Sequence, residues 1–188
     1  MKEGQIIVIV APSGSGKSTL IKRLKKDFPE LIESVSYTTR PMRQGEIHGQ
    51  SYFFVTEEEF LAKRDRGEFL EWAQVHANFY GTSKGFVEAE IAKGHHLLFD
   101  LDVQGTDAFK EYFKIRATAI FIAPPSIEEL KNRLRGRGTE STGIINIRLE
   151  NSKREILRKN DFDYCVTNDE LETAYAELSG IVTKLIRE

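Results

Sequence analysis

Residues 7–20 read Ile-Val-Ile-Val-Ala-Pro-Ser-Gly-Ser-Gly-Lys-Ser-Thr-Leu: a β-branched apolar run, a loop of small residues, then a helix-forming stretch. A buried strand that feeds a helix N-terminus through so tight a loop restricts the chain to few architectures. Glycine lets the loop backbone turn sharply and bring its N–H groups close to an anion. The helix that starts at Lys17 or Ser18 aims its positive end at the same point. Lys17 adds a cation for terminal phosphates, and the Ser18 hydroxyl is placed to ligate Mg²⁺. The loop Ala11, Pro12, Ser13, Gly14, Ser15, Gly16, Lys17, Ser18 and Thr19 therefore reads as a nucleoside-triphosphate site. It departs by one letter from G-x-x-x-x-G-K-[ST], with Ala11 for the first glycine. Alanine restricts the strand-to-loop turn slightly and leaves the Ser13–Ser18 cradle intact. An ordinary strand–turn–helix without a ligand is the alternative.

A chain of 188 residues suits one domain with small mobile insertions and buries a proper core. The net charge of −2 gives no reason to expect nucleic acid or an anionic membrane as a partner. Phosphate-binding cations must therefore be concentrated locally. The single cysteine, Cys165, excludes an internal disulfide and fits a reducing compartment. Its place in Tyr164-Cys165-Val166 predicts a buried strand position. No signal-peptide pattern precedes the first strand, and no apolar run approaches the ~20 residues that cross a bilayer. The expected location is the cytoplasm.

Strands are predicted at 5–10, 32–37, 52–55, 96–101, 117–122 and 163–167. Helices are predicted at 17–28, 56–66, 85–93, 105–112, 126–135, 144–159 and 170–187. Several strands are apolar throughout, as when helices cover both faces of a sheet. Short strands alternating with helices indicate an α/β fold with a parallel sheet. Residues 34–84 interrupt that rhythm with aromatics, arginines and short strands, which suggests an inserted substrate-binding subdomain. The glycine- and arginine-rich stretch 133–148 suggests a moving lid, although Gly143 weakens its helix start.

Three further groups of residues carry chemistry. Arg40 and Arg43 lie three apart in a turn with Pro41, and two guanidinium forks can hold a whole phosphate. Tyr52 and Tyr80 can each add a hydroxyl donor, or simply be core aromatics. The apolar run 97–99 ends in Asp100 and Asp102, which period-two geometry sends to one side of the strand. Acids at the C-terminal edge of a parallel sheet lie where such sheets bind ligands. Arg133 and Arg137 are spaced for one side of a helical turn, and Arg148 lies on the next helix. Phosphoryl transfer needs charge neutralisation and alignment more than a general base, and these arginines supply both. Solvation of helix surfaces is their plainer reading. The histidines at 48, 76, 95 and 96 show no metal-ligand spacing.

The ordered set Ala11–Ser18, Ser36–Arg43, Gly67–Ala73, Asn78–Thr82, Asp100–Gly105, Phe121–Ser126, Arg135–Glu140 and Val166–Asp169 resembles guanylate kinase. The resemblance runs from about Gln5 to Ile186. It implies transfer of phosphate from ATP to GMP with Mg²⁺, on a P-loop NTPase-type parallel sheet flanked by helices. It further implies a single guanylate-kinase-like domain over 1–188. The core would take about 1–33, 85–125 and 150–188, a mixed α+β GMP-binding subdomain 34–84, and a small mobile lid 126–149.

By motif, Arg40, Arg43, Tyr52 and Tyr80 would hold the GMP phosphate, while Ser36, Glu71, Thr82 and Asp102 would line the guanine pocket. Guanine presents N1–H and its exocyclic amino group as adjacent donors, which one carboxylate such as Glu71 can accept together. Ser36 and Thr82 can donate to O6. Adenine would leave these partners mismatched. Without its motif, Glu71 reads equally as a surface acid beside Trp72. The loop, Arg133, Arg137 and Asn168 would contact ATP, with Asn168 on the adenine side or a plain turn residue. Lys17, Arg40, Arg133, Arg137 and Arg148 would act on the transferred group. Ser18, and Asp100 directly or through water, would serve the metal.

The expected partners are ATP/ADP and GMP/GDP, with dGMP accepted and no obligatory protein partner. A kinase-like interaction domain would lose the loop lysine and lid arginines, all of which are present here. An adenylate or shikimate kinase would not require the 36–43 and 71–82 sets together. Arginines split between 36–82 and 133–148 predict closure around two nucleotides.

Overall fold

The computed structural model describes residues 3–75, 77–136 and 142–187. β1 (Ile6–Val10) is central in a five-stranded sheet. Around it stand β2 (Leu31–Glu33), β7 (His96–Leu101), β8 (Ala117–Ala123) and β9 (Tyr164–Thr167), in the order β2-β7-β1-β8-β9. All the pairings are parallel. Every residue of β1 is fully buried, as its continuous β-branched run requires in a sheet covered on both faces.

The pleat divides that strand between two cores. Ile7 and Ile9 pack with Leu20 and Leu24 of α1 (Lys17–Asp27) and Leu178 and Val182 of α7 (Leu171–Arg187). Ile6, Val8 and Val10 pack on the other face with Val87 and Ile91 of α3 (Lys84–Ala92) and Phe109 and Phe113 of α4 (Val103–Phe113). The sheet is thus filled from both sides, as the α/β reading predicts. A smaller core joins Leu130 and Leu134 of α5 (Ile127–Gly136) to Ile145 and Leu149 of α6 (Thr142–Leu157).

A second sheet has the order β4-β3-β6-β5, from β3 (Tyr37–Thr38), β4 (Phe53–Phe54), β5 (Phe69–Val75) and β6 (Asn78–Ser83). Phe60 of α2 (Glu57–Asp65) stacks on Phe69 and Phe79 at ring-centre distances of 4.5 and 5.4 Å. This sheet therefore owns a separate aromatic core. A Cβ on Gly81 would come within 3.1 Å of the Phe60 and Phe69 rings, so glycine is what lets β6 approach them. Thr56 and Glu59 form a reciprocal capping box that starts α2.

Two expectations need correction. The single strand over 32–37 divides, because β2 pairs with β7 only through Glu33, while Tyr37 and Thr38 pair with β4 and β6. Ser34, Val35 and Ser36 carry the chain from one sheet to the other. Cys165 is exposed, because β9 is an edge strand whose neighbour Val166 takes the inward position. The hairpin β5–β6 was not predicted as strands. A bulge between Phe69 and Glu71 shifts its register and breaks the alternation by which strands are read.

Candidate active site

The register of the large sheet aligns the C-terminal ends of its strands. Val10 lies opposite Leu101 and Phe121, and Ala123 opposite Thr167. The loop after β1, Asp100 and Asp102 of β7 and its exit, and Asn168 after β9 therefore meet at one edge. That is where a parallel sheet presents its helix N-termini to a ligand.

The loop is held by glycine and asparagine. Gly14 and Gly16 have φ of 92° and 87°, a region that L side chains adopt only with strain. A Cβ at Gly14 would press on Leu130 and Leu134 at 3.0 Å, and one at Gly16 would overlap the Asn168 side-chain nitrogen. Gly16 caps α1 with no side-chain bond, which leaves the helix's positive end without an internal carboxylate. Asn168 is buried; its backbone N–H donates to the Ala123 carbonyl at 2.8 Å and its Nδ2 to the Ser15 carbonyl at 2.7 Å. The predicted adenine-side residue thus braces the loop from behind.

Lys17 forms an ion pair with Asp100 and donates to the Leu101 carbonyl at 3.2 Å. Ser18 follows it, exposed, in the first turn of α1. Arg148 of α6 donates to Ser13 Oγ at 3.1 Å, which brings α6 onto the loop. Arg133 of α5 donates to the Asn168 carbonyl at 2.9 Å and to Glu129 Oε1 at 2.9 Å. With Gly14, Gly16, Thr19, Asn168, Asp169 and Leu171 it lines a cavity of about 310 Å³. Arg137 lies outside the described residues, as does part of the stretch assigned to the lid.

A larger cavity of about 570 Å³ opens between the two sheets. Ser36, Tyr52, Glu71 and Thr82 line it from the small sheet, and Asp100 and Asp102 from the large one. Antiparallel pairing sets Glu71 opposite Thr82, whose hydroxyl donates to Glu71 Oε1 at 2.7 Å. The Ser36 and Thr82 hydroxyl oxygens stand 3.5 Å apart. Burial pushes the Glu71 carboxyl above its ordinary range; the Thr82 bond opposes this and the charge of Asp102 adds to it. Asp102 also caps α4, accepting the Gly105 N–H at 2.7 Å, so one of its oxygens is committed before any ligand binds.

Arg40, Arg43 and Tyr80 do not line this cavity, but Arg40 and Tyr80 adjoin it through Tyr52. The Arg40 guanidinium lies 5.5 Å from the Tyr52 ring centre, and the Tyr52 and Tyr80 rings meet edge to face at 6.0 Å. Arg43 is exposed on the same turn.

Sequence reasoning assigned no role to Glu46, Ser34 or Glu155. Glu46 engages Arg40 and the Arg43 backbone. Ser34 lines the large cavity, and its hydroxyl is buried with no hydrogen-bond partner among the described residues. Burial also raises the carboxyl of Glu155 on α6, with the charge of Asp102 adding to the shift and that of Lys17 opposing it. Only Glu46 carried a sequence signal, an acid three residues past an arginine in a polar turn.

A guanylate kinase family model matches residues 3–185. The chain belongs to the guanylate kinase family. Guanylate kinase of Thermotoga maritima is 46% identical over 96% of this chain and 86% of its own length. That of Oleidesulfovibrio alaskensis is 48% identical over 94% of this chain and 85% of its own. The crystal structure of guanylate kinase from Anaplasma phagocytophilum superposes with a TM-score of 0.72 at 33% identity, covering all of this chain and 88% of that one. Membership makes the chain an enzyme, a nucleoside monophosphate kinase, and the parallel sheet between helices agrees with it. No helix among the described residues is long and apolar enough to cross a membrane.

Proposed function

We propose that this chain transfers the terminal phosphoryl group of ATP to GMP, giving ADP and GDP, through the two cavities at the sheet edge. One observation carries the assignment. The Asp100 carboxylate lines the large cavity and at the same time pairs with Lys17 of the phosphate loop, so the two nucleotide sites share a residue where donor and acceptor must meet.

The loop and the α1 N-terminus bind the ATP phosphates, with Asn168 and Arg133 bordering the adenosine side. Glu71 accepts the guanine N1–H and amino donors, Ser36 donates to O6, Thr82 joins it when its one proton turns from Glu71, and Asp102 uses its uncommitted oxygen. Arg40, Arg43, Tyr52 and Tyr80 hold the GMP phosphate. Lys17, Arg148, Arg133 and Arg137 offset the charge that spreads over the phosphoryl oxygens in transfer. Ser18 and Asp100 are hard oxygen donors and suit Mg²⁺, which takes few protein ligands beside substrate phosphates. The ion would screen the phosphate oxygens.

We assign the core to about 1–33, 85–125 and 150–188, the GMP-binding subdomain to 34–84 and the lid to 126–149. The separate aromatic core of the small sheet supports this division. The single cysteine, which fits a reducing compartment, favours a cytoplasmic enzyme of purine nucleotides, and we assign it no obligatory protein partner.

The test is a coupled ADP-release assay with GMP, dGMP, AMP, CMP and UMP as separate acceptors. GMP should be preferred and dGMP accepted, since no assigned residue is reserved for the ribose 2′-hydroxyl. Equal turnover of AMP would overturn the guanine pocket.

A further inference from the structure

The turn that carries Arg40 and Arg43 is tied together by one carboxylate. Glu46 Oε1 accepts from Arg40 Nη2 at 2.6 Å, and Glu46 Oε2 accepts the Arg43 backbone N–H at 2.7 Å. The turn closes further through the Glu46 N–H, which donates to the Arg43 carbonyl at 3.1 Å. Arg40 Nη1 donates to the Pro41 carbonyl at 2.8 Å. The Arg40 side chain is only 11% exposed and that of Glu46 22%. This pair is therefore more sheltered than a surface salt bridge, and two hydrogen bonds fix its geometry.

Glu46 takes only part of the Arg40 fork. A guanidinium has five N–H donors in a rigid fork, and Pro41 and Glu46 each take one. The remaining donors stay available towards Tyr80, whose oxygen adds a favourable interaction, and towards an incoming anion. Glu46 itself does not line the cavity between the sheets. Its carboxylate reaches Arg40 and the Arg43 backbone from within the turn.

We propose that Glu46 is a positioning residue for the GMP phosphate, aligning the Arg40 guanidinium and the Arg43 turn before substrate arrives. This rests on the assignment of Arg40 to that phosphate. Without Glu46, a long side chain with much rotamer freedom must be ordered by the ligand itself, which weakens binding. Its negative charge also lies near the phosphate, so the gain from alignment must exceed that repulsion. An amide at the same position keeps one acceptor oxygen and turns an NH₂ group towards a donor, which makes it a partial replacement.

The experiment measures Kd for GMP and for guanosine by calorimetry and KM for ATP by the coupled assay, in the wild type and in Glu46→Ala, Glu46→Gln and Arg40→Ala, with thermal unfolding of each. The expected result for Glu46→Ala is GMP binding weaker by about tenfold, guanosine binding unchanged and KM for ATP within about twofold. Glu46→Gln should fall between wild type and Glu46→Ala, and it remains informative if the alanine variant does not fold. Equal weakening of GMP and guanosine would show a merely structural role and overturn the proposal. So would unchanged or tighter GMP binding in both Glu46 variants while Arg40→Ala weakens it. Unchanged GMP binding in Arg40→Ala would instead remove the phosphate assignment, and the proposal with it.

Discussion

Glu71→Gln separates what burying this carboxylate costs the fold from what the proposed guanine contact gives the substrate. The Glu71 carboxylate is half-buried, accepts one bond from Thr82 and faces the charge of Asp102. Its carboxyl is raised above the unfolded value, so the folded state disfavours its ionisation. The stability associated with the protonated form is complete below the unfolded pKa and is lost as pH rises through the raised one. A neutral amide of the same shape removes that burden at neutral pH and keeps an acceptor for Thr82. The empty variant should therefore unfold at a higher temperature than wild type at pH 7, and the gap should narrow towards pH 4. Substrate affinity moves the other way. Guanine loses one charge-assisted bond and meets an NH₂ donor where it presents a donor itself, a cost of about 3 kcal/mol. That is on the order of 100-fold in kcat/KM for GMP, with KM for ATP unchanged. Calorimetric unfolding against pH, together with the coupled assay, reads both effects. A variant that loses stability at pH 7 and keeps its GMP affinity would refute the reasoning.

Two further substitutions test the phosphate loop. Lys17→Ala should lower kcat by about 100- to 1,000-fold with the fold retained, as expected of a lysine proposed to meet oxygens whose charge changes in transfer; unchanged turnover in steady-state assay would remove the loop as the ATP site. Gly16→Ala forces a Cβ into a φ of 87° and onto Asn168, and should cost about 2 kcal/mol, or ~5 °C in Tm by calorimetry. Asn168→Ala removes the overlap but also the bond to the Ser15 carbonyl, so the double variant should lose less than the sum of the two single losses in Tm; losses that simply add would count against this geometry.

How much of this was legible in the sequence depends on whether local pattern and long-range pairing agreed. β1, β7 and β8 were readable because burial on both faces writes an unbroken apolar run into the chain. β5 and β6 were not, since the bulge between Phe69 and Glu71 breaks the alternation, and partner strands rather than propensity hold the hairpin. The same cause divided 32–37. Val35 fits a strand in composition, yet hydrogen bonds run to β7 on one side of it and to β4 and β6 on the other. Cys165 was misplaced because an apolar neighbour reveals which faces alternate but not whether a strand lies at an edge.

The site shows the same division at the scale of single side chains. Residue types that carry chemistry were visible: a lysine after glycine, paired arginines, acids at a strand end. What each holds within the fold was not. Asn168, expected on the adenine side, also supports the loop backbone, and Asp102, expected in the pocket, also spends one oxygen capping α4. Glu46 bore no expectation and holds the guanidinium of Arg40. In each case the hidden partner is a backbone group or a charge brought close by a turn or a sheet crossing. A motif records which groups meet the substrate; the groups that keep them in place are set by the fold. A substitution at Glu46 should therefore act through Arg40, and the comparison of GMP with guanosine is what distinguishes such action from a general loss of structure.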